Sequence, residues 1–272
     1  MEFIQSQTDH ETYLHGYSYN EQLRLIEQGT FLSPQVYKGV DFSTCEHCIE
    51  VGSGTGAQTK ILLEKFPELK ITCIERERAQ IEFAQSHLPL NRVNWLNDDA
   101  HKLSFTHETF DCAFLCWVLE HVKNPLKVMQ EIYRVLTPGS PVCINEVLNK
   151  MLYVYPHSPA VEVYWRAFNT LQEEKNGHPY IGALVPSILT QCNFKRIESN
   201  HQLLWADARD PFYKSALVTY FQDLILSGST LLLQESKITQ TVVDEAKREL
   251  ELIKNSTEGV IHFGWCQVFA YK

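Results

Sequence analysis

At 272 residues the chain is long enough for one large domain, or one domain with a lid. With 44% hydrophobic and 21% charged residues it can bury a full core without metal or disulfide staples, and disorder, collagen and coiled coil are excluded. Lys and Arg number 24 against 33 Asp and Glu, a formal charge of −9 with no basic block, which argues against nucleic acid as a partner.

The N-terminus lacks the basic and apolar regions of a signal peptide. The apolar run at 224–233 is short and interrupted, so no membrane span is expected. Of eight cysteines, only Cys45 and Cys48 have metal or redox spacing, and no second pair completes a zinc site. Reduced thiols, no metal and a cytoplasmic location are the expectation.

In chain order, Asn20 to Gln28 reads as a short helix stopped by Gly29. From position 47 strands and helices alternate. Strands are expected at 47–51, 70–74, 93–96, 110–116 and 142–147, and helices at 58–65, 78–87 and 125–136. Such alternation implies α/β architecture, a doubly wound and mostly parallel sheet. Later come helices at 158–174 and 183–192, a strand at 195–205, helices at 211–226 and 239–254, and a last strand at 262–271. This divides the chain into a helical lid (1–40), a cofactor-binding core (41–205) with a helical insertion near 151–175, a helical cap insertion (206–256) and a final core strand (257–272).

The string Glu50-Val51-Gly52-Ser53-Gly54-Thr55-Gly56-Ala57-Gln58 carries the chemistry. A strand runs into a glycine turn and then a helix, whose unpaired N–H groups suit the polar part of a nucleoside cofactor. The spacing also fits a dinucleotide pattern through Gly52, Gly54 and Ala57, so an NAD-dependent oxidoreductase is a competitor. Glu75 ends the second strand, where a carboxylate can accept both ribose hydroxyls. Glu50 lies inside a strand and needs a partner. An ammonium group on the cofactor answers that need better than a pyrophosphate. Asp98, Asp99 and Ala100 follow the third strand and can read the edge of adenine.

Together with Phe110-Asp111 and Leu119-Glu120-His121, these motifs resemble the class I S-adenosylmethionine-dependent methyltransferases, in the branch of ubiquinone/menaquinone-type and small-molecule enzymes. The likeness covers about residues 47–147. The segment from Tyr13 to Leu25 is similar to the N-terminal lid of microbial members. The resemblance implies a Rossmann-like sheet of seven strands, the last antiparallel, and S-adenosyl-L-methionine as cofactor. It places Gly52, Ser53, Gly54 and Gly56 under the methionine part, Glu50 at its ammonium through water or directly, Glu75 at the ribose and Arg76 beside the adenine. Cys116, Trp117 and Val118 would line the methionine side. Charge and position suggest Tyr19, Arg24 and Gln58 at its carboxylate.

Methyl transfer is an in-line displacement in which the protein aligns, desolvates and sometimes removes a proton. His121, Glu146 and the lid's His15 are the candidate acid–base residues, with His157 a further possibility. Tyr13, Tyr17, Tyr153, Tyr155 and Trp165 are the expected substrate pocket, an aromatic box for a planar or cationic molecule. The expected partner is a small-molecule acceptor methylated on N, O or C, with oligomeric state open. A catalytically silent cofactor-binding protein is the remaining alternative.

Overall fold

The computed structural model describes residues 13–88 and 91–272. The first twelve residues of the expected lid lie outside them. Helix α1 (Tyr19–Val36) opens at Ser18, whose hydroxyl accepts the Glu21 N–H. It does not stop at Gly29. A Cβ on Gly29 would lie 3.0 Å from that of Ala57, so the glycine lets α1 cross the start of α2 (Ala57–Lys65) at close range. Packing outweighs the roughly 1 kcal/mol propensity cost of an interior glycine.

Parallel strands β1 (His47–Val51), β2 (Lys70–Glu75), β3 (Val93–Asn97), β4 (Cys112–Cys116) and β5 (Pro141–Val147) stand in the order β3-β2-β1-β4-β5. Between them run α3 (Arg78–His87) and α4 (Pro125–Val135). Strand β4 begins two residues later than expected, because Phe110 forms only an isolated bridge to Leu136. After β5 come the short strand β6 (Tyr153–Tyr155), α5 (Pro159–Glu174), α6 (Val185–Gln191) and β7 (Lys195–Ala206). Helices α7 (Pro211–Ser227), α8 (Ser229–Gln234) and α9 (Gln240–Asn255) precede β8 (Val260–Tyr271).

Strand β8 runs antiparallel to β5 on one edge and to β7 on the other. The expected seven-stranded sheet gains an eighth strand in β6, and the register explains how. Residues 265–271 of β8 pair with β5, while residues 260–262 pair with β6. Since β7 holds the other edge throughout, β6 prolongs the line of β5 and adds no new position across the sheet.

Strand alternation splits the core in two. Cys48, Cys73, Cys112, Phe114 and Cys143 face α1, α2, α5, α7 and α9. Ile49, Val51, Ile74, Ala113, Leu115 and Ile144 face α4 and α6. All eight cysteines are free, seven of them buried. Helices α7 and α8 form a 24-residue stretch, Pro211–Gln234, of mean hydropathy 1.4. By length and composition alone it is long and apolar enough to cross a membrane, a test that the core helices of globular folds also pass. Here Leu217, Val218, Phe221 and Ile225 are fully buried in the core shared with α9.

Candidate functional site

A large cavity opens at the carboxyl ends of the parallel strands, where ligands of open α/β sheets sit. The glycine turn forms its floor. Gly52, Gly54 and Gly56 all have positive φ. A Cβ on Gly52 would stand 2.6 Å from Val118, and one on Gly56 2.7 Å from Trp95, so these two glycines serve packing. A Cβ on Gly54 would meet nothing within 4 Å. That open space faces the cavity, and the Ser53 hydroxyl beside it is buried without a hydrogen-bond partner.

Glu75 lines the same end. Its carboxylate accepts the Gly54 N–H at 2.9 Å and the Glu77 N–H at 2.8 Å, so it braces the turn as well as facing the cavity. Burial raises its pKa against the pull of these backbone donors. Asp98, Asp99, Ala100 and Arg76 line the wall beyond. Asp98 accepts Ser104 and Asp99 N–H groups and builds the turn. Asp99 accepts from the His101 N–H and approaches His101 Nδ1 at 2.8 Å. These contacts outweigh burial and hold its carboxyl below the usual range. His101 was missed by sequence reasoning, yet its Nε2 is buried, lacks a partner and borders the cavity. Its place two residues past Asp99 was the available signal.

Glu50 departs from expectation. It is 2% exposed and does not line the cavity. Alternation sends it under α2, where it accepts the Thr59 hydroxyl at 2.7 Å and the Cys73 thiol at 3.6 Å. Burial pushes its pKa up to about 7. It braces the start of α2, and its carboxylate makes no direct part of the cavity wall.

Glu146 is a second correction. It is fully buried behind the loop after β4 and accepts the N–H groups of Val118 and Leu119 at 2.9 and 2.7 Å. Burial, then the neighbouring Glu120, push its pKa up to about 8. It holds the loop in which Trp117 takes the left-handed conformation, φ +55°, at a cost of about 1–2 kcal/mol. Cys116, Trp117 and Val118 themselves line the cavity.

Of the remaining expectations, Arg24 and Gln58 line the cavity, but both are engaged. Arg24 forms a two-pronged ion pair with Glu21, at 2.6 and 2.7 Å, and donates to Gln28. Gln58 accepts the Tyr37 hydroxyl. Tyr19 is 61% exposed, packs edge-on against Phe83 and lies away from the cavity. Tyr153 and Tyr155 also fall outside, as exposed side chains of the edge strand β6. His157 is a surface residue near Glu162.

The other aromatic residues do converge. Tyr13 stacks on Tyr17 and meets His15 and His121, with centroids 5.0–5.3 Å apart. Trp165 stacks on Phe168 and donates its indole N–H to the Asn149 carbonyl. The His15 ring contacts Phe168 and its Nδ1 meets Ser227 Oγ. Burial, then Arg24 and His121, keep His15 well below its ordinary pKa, so it is neutral at pH 7. Glu120, Gln28, Tyr220, Leu224 and Phe263 complete this end and were not foreseen. Gln28, one helical turn after Arg24, had a local signal. Tyr220 and Leu224 come from α7, and only the tertiary fold brings them here.

A family described as a methyltransferase domain matches residues 49–144. The chain is 23% identical over 195 residues to a demethylmenaquinone methyltransferase of Chlamydia pneumoniae, covering 70% of this chain and 78% of that one. It is 28% identical to a ubiquinone/menaquinone biosynthesis C-methyltransferase of Desulfotalea psychrophila, covering 43% and 47%. In fold it is similar to Haemonchus contortus phosphoethanolamine N-methyltransferase 2, with a TM-score of 0.57 at 18% identity, covering 94% of this chain and 53% of that one. The chain thus spans only about half the length of the latter two. Methyltransferase relatives, and not the position of Glu50, decide against a dinucleotide enzyme. With its glycine turn, the cavity-lining carboxylate of Glu75 and its antiparallel final strand, the chain carries a methyltransferase domain over residues 49–144 and is similar to S-adenosylmethionine-dependent methyltransferases of the ubiquinone/menaquinone type.

Proposed function

We propose that the chain methylates a small organic molecule seated in the aromatic end of its cavity. The observation that carries this reading is the continuity of one cavity, from the open face of Gly54 to the chamber of Tyr13, Trp165 and Phe168. The donor supplies an electrophilic methyl group on a sulfonium. Gly54 leaves room for it, Ser53 has a free hydroxyl to offer, Glu75 accepts the ribose hydroxyls, and Asp99 with His101 meets the adenine edge. Cys116 and Trp117 border the methionine part. Glu146 acts at one remove by holding their loop.

At the acceptor, alignment and exclusion of water are the protein's main contribution, worth roughly 7–11 kcal/mol in favourable cases. His121 lines the chamber and is the residue placed to take a proton. His15, already neutral, shapes the wall and offers a polar edge. The acceptor reaches a closed site under α1 and α7, which favours a metabolite over a protein. Eight free thiols fit a reducing cytoplasm.

Calorimetry with S-adenosylhomocysteine and with NADH, followed by a labelled-methyl screen of metabolites, tests the reading. Micromolar binding of the first, none of the second, and label transfer to a small molecule are expected. NADH binding without S-adenosylhomocysteine binding would overturn it.

A further inference from the structure

The acceptor end of the cavity has an uneven charge inventory. Among the described residues only two cations line the cavity, Arg24 and Arg76. Arg24 is neutralised by its paired contact with Glu21, and Arg76 lies at the adenine end beside Glu75 and Glu77. No lysine lines the cavity among those residues. The chamber does contain a buried carboxylate, Glu120, 8% exposed. One of its oxygens accepts the Gln172 amide at 2.8 Å. The other stands 3.6 Å from His121 Nε2, longer than a hydrogen bond. Tyr13, Trp165, Phe168 and Tyr220 complete the chamber. Aromatic faces attract cations and stack on flat rings.

A second cavity adjoins this chamber, with Tyr13, His15, Tyr17 and Arg24 common to both linings. It runs between α1 and the α7–α8 turn. Its charged lining is Glu21 and Arg24, which cancel, together with the exposed Glu27 and Asp223. Among the described residues the linings of both cavities therefore carry an excess of negative charge.

From this we propose that the acceptor is an amine borne on a flat or apolar skeleton, its nitrogen seated between Glu120 and His121. An acceptor carrying a phosphate or carboxylate would meet the field of Glu120, with Glu27 and Asp223 in the adjoining cavity, and no described lysine in the lining to pair with. The inference rests on the methyl-transfer reading and specifies its substrate class.

A bound ammonium gives one N–H proton to His121, which passes it to water through its partly exposed ring. The freed nitrogen lone pair forms the bond to the methyl carbon while the carbon–sulfur bond breaks. Its electron pair stays on sulfur, leaving a neutral thioether. The product is an N-methylammonium ion that again meets Glu120.

The test uses the full chain and four probes: 2-phenylethylamine, 2-phenylethanol, 4-hydroxyphenylethanol and 2-phenylethyl phosphate. Binding to the S-adenosylhomocysteine-loaded protein is followed by calorimetry, and methyl transfer with labelled donor. The amine is expected to bind and accept label, and the phosphate to do neither. Glu120→Gln keeps an acceptor oxygen for Gln172 and should weaken amine binding about tenfold or more, leaving 2-phenylethanol binding unchanged. Glu27→Gln with Asp223→Asn should lower kcat/KM for the amine and flatten its salt dependence. Transfer to the phenol or binding of the phosphate in preference to the amine overturns the proposal, as does an unmoved amine affinity in Glu120→Gln. So does failure of the amine to bind while S-adenosylhomocysteine binds, and then the methyltransferase reading stands. If S-adenosylhomocysteine itself fails to bind, it is that underlying reading that falls.

Discussion

Gly54 and Gly52 share a backbone conformation and differ in what surrounds them, so alanine at each separates folding from cofactor binding. Both have positive φ, +51° and +67°. A side chain there costs about 1–2 kcal/mol. At Gly54 that strain is the whole folding penalty, since an added Cβ meets nothing. For a chain of this size 1 kcal/mol lowers Tm by about 2–4 °C, so Gly54→Ala should melt a few degrees below the parent. At Gly52 the Cβ would press on two methyl groups of Val118 at 2.6 and 2.9 Å. Overpacking adds about 1–3 kcal/mol, for a total of about 2–5 kcal/mol, and disturbs the loop that Glu146 holds. Thermal denaturation ranks the two variants, with Gly52→Ala the less stable. Calorimetry with S-adenosylhomocysteine then reverses the emphasis. Gly54→Ala, nearly intact in fold, should lose at least tenfold in affinity because the methyl group occupies the ligand's approach. Parental affinity in Gly54→Ala would show that the open space below this turn is not the cofactor's, and the site assignment would fail with it.

Three further outcomes follow from the same geometry. Glu75→Gln replaces a carboxylate that accepts two backbone N–H groups with an amide that has one acceptor oxygen. Cofactor affinity should drop at least tenfold with a modest loss of stability, read by the same calorimetry and melting. Glu50 has its pKa raised by burial to about 7, from an ordinary 4.5. The folded state then holds a proton that the unfolded chain releases, so this stabilisation is full below about pH 4.5 and is lost as pH rises through about 7. Denaturant titrations at pH 5, 7 and 9 should show a decline that Glu50→Gln reduces, and an identical decline in both proteins would refute burial as the cause. Lastly, Tyr153→Ala and Tyr155→Ala should leave turnover within twofold of the parent, because both side chains lie on the exposed edge strand. Trp165→Ala, which opens the chamber and removes the stack on Phe168, should raise the acceptor KM at least tenfold. Equal effects in all three would place the chamber wrongly.

The glycine-turn end of the cavity was legible because its parts are local. A strand, three glycines and a helix start within ten residues can form only a narrow range of backbones. Glu75 ends the next strand and Asp99 lies two residues past the end of the one after, at the same sheet edge, so their convergence follows from parallel pairing. Glu50 shows the limit of this reasoning. Its residue type and proximity to Gly52 suggested a ligand contact, but the pleat turns it to the opposite side of β1 from Val51, beneath α2. Glu146 likewise points at backbone N–H groups of a loop 27 and 28 residues earlier, a pairing that no local pattern encodes. Tyr153 and Tyr155 were grouped with the pocket by composition, while β8 recruits them to its edge.

Periodicity and glycine spacing alone determined the alternating core, its parallel strands and the glycine turn that floors the cavity, since each depends on contacts between neighbours in sequence or between consecutive strands. Tertiary structure decided which face each acid occupies, that α1 runs through Gly29, and that Tyr220 of α7 and Glu120 after β4 share one chamber. These contacts join residues from nine to a hundred positions apart in different elements, where burial and shape complementarity set the outcome and local sequence pattern carries no information about the partner.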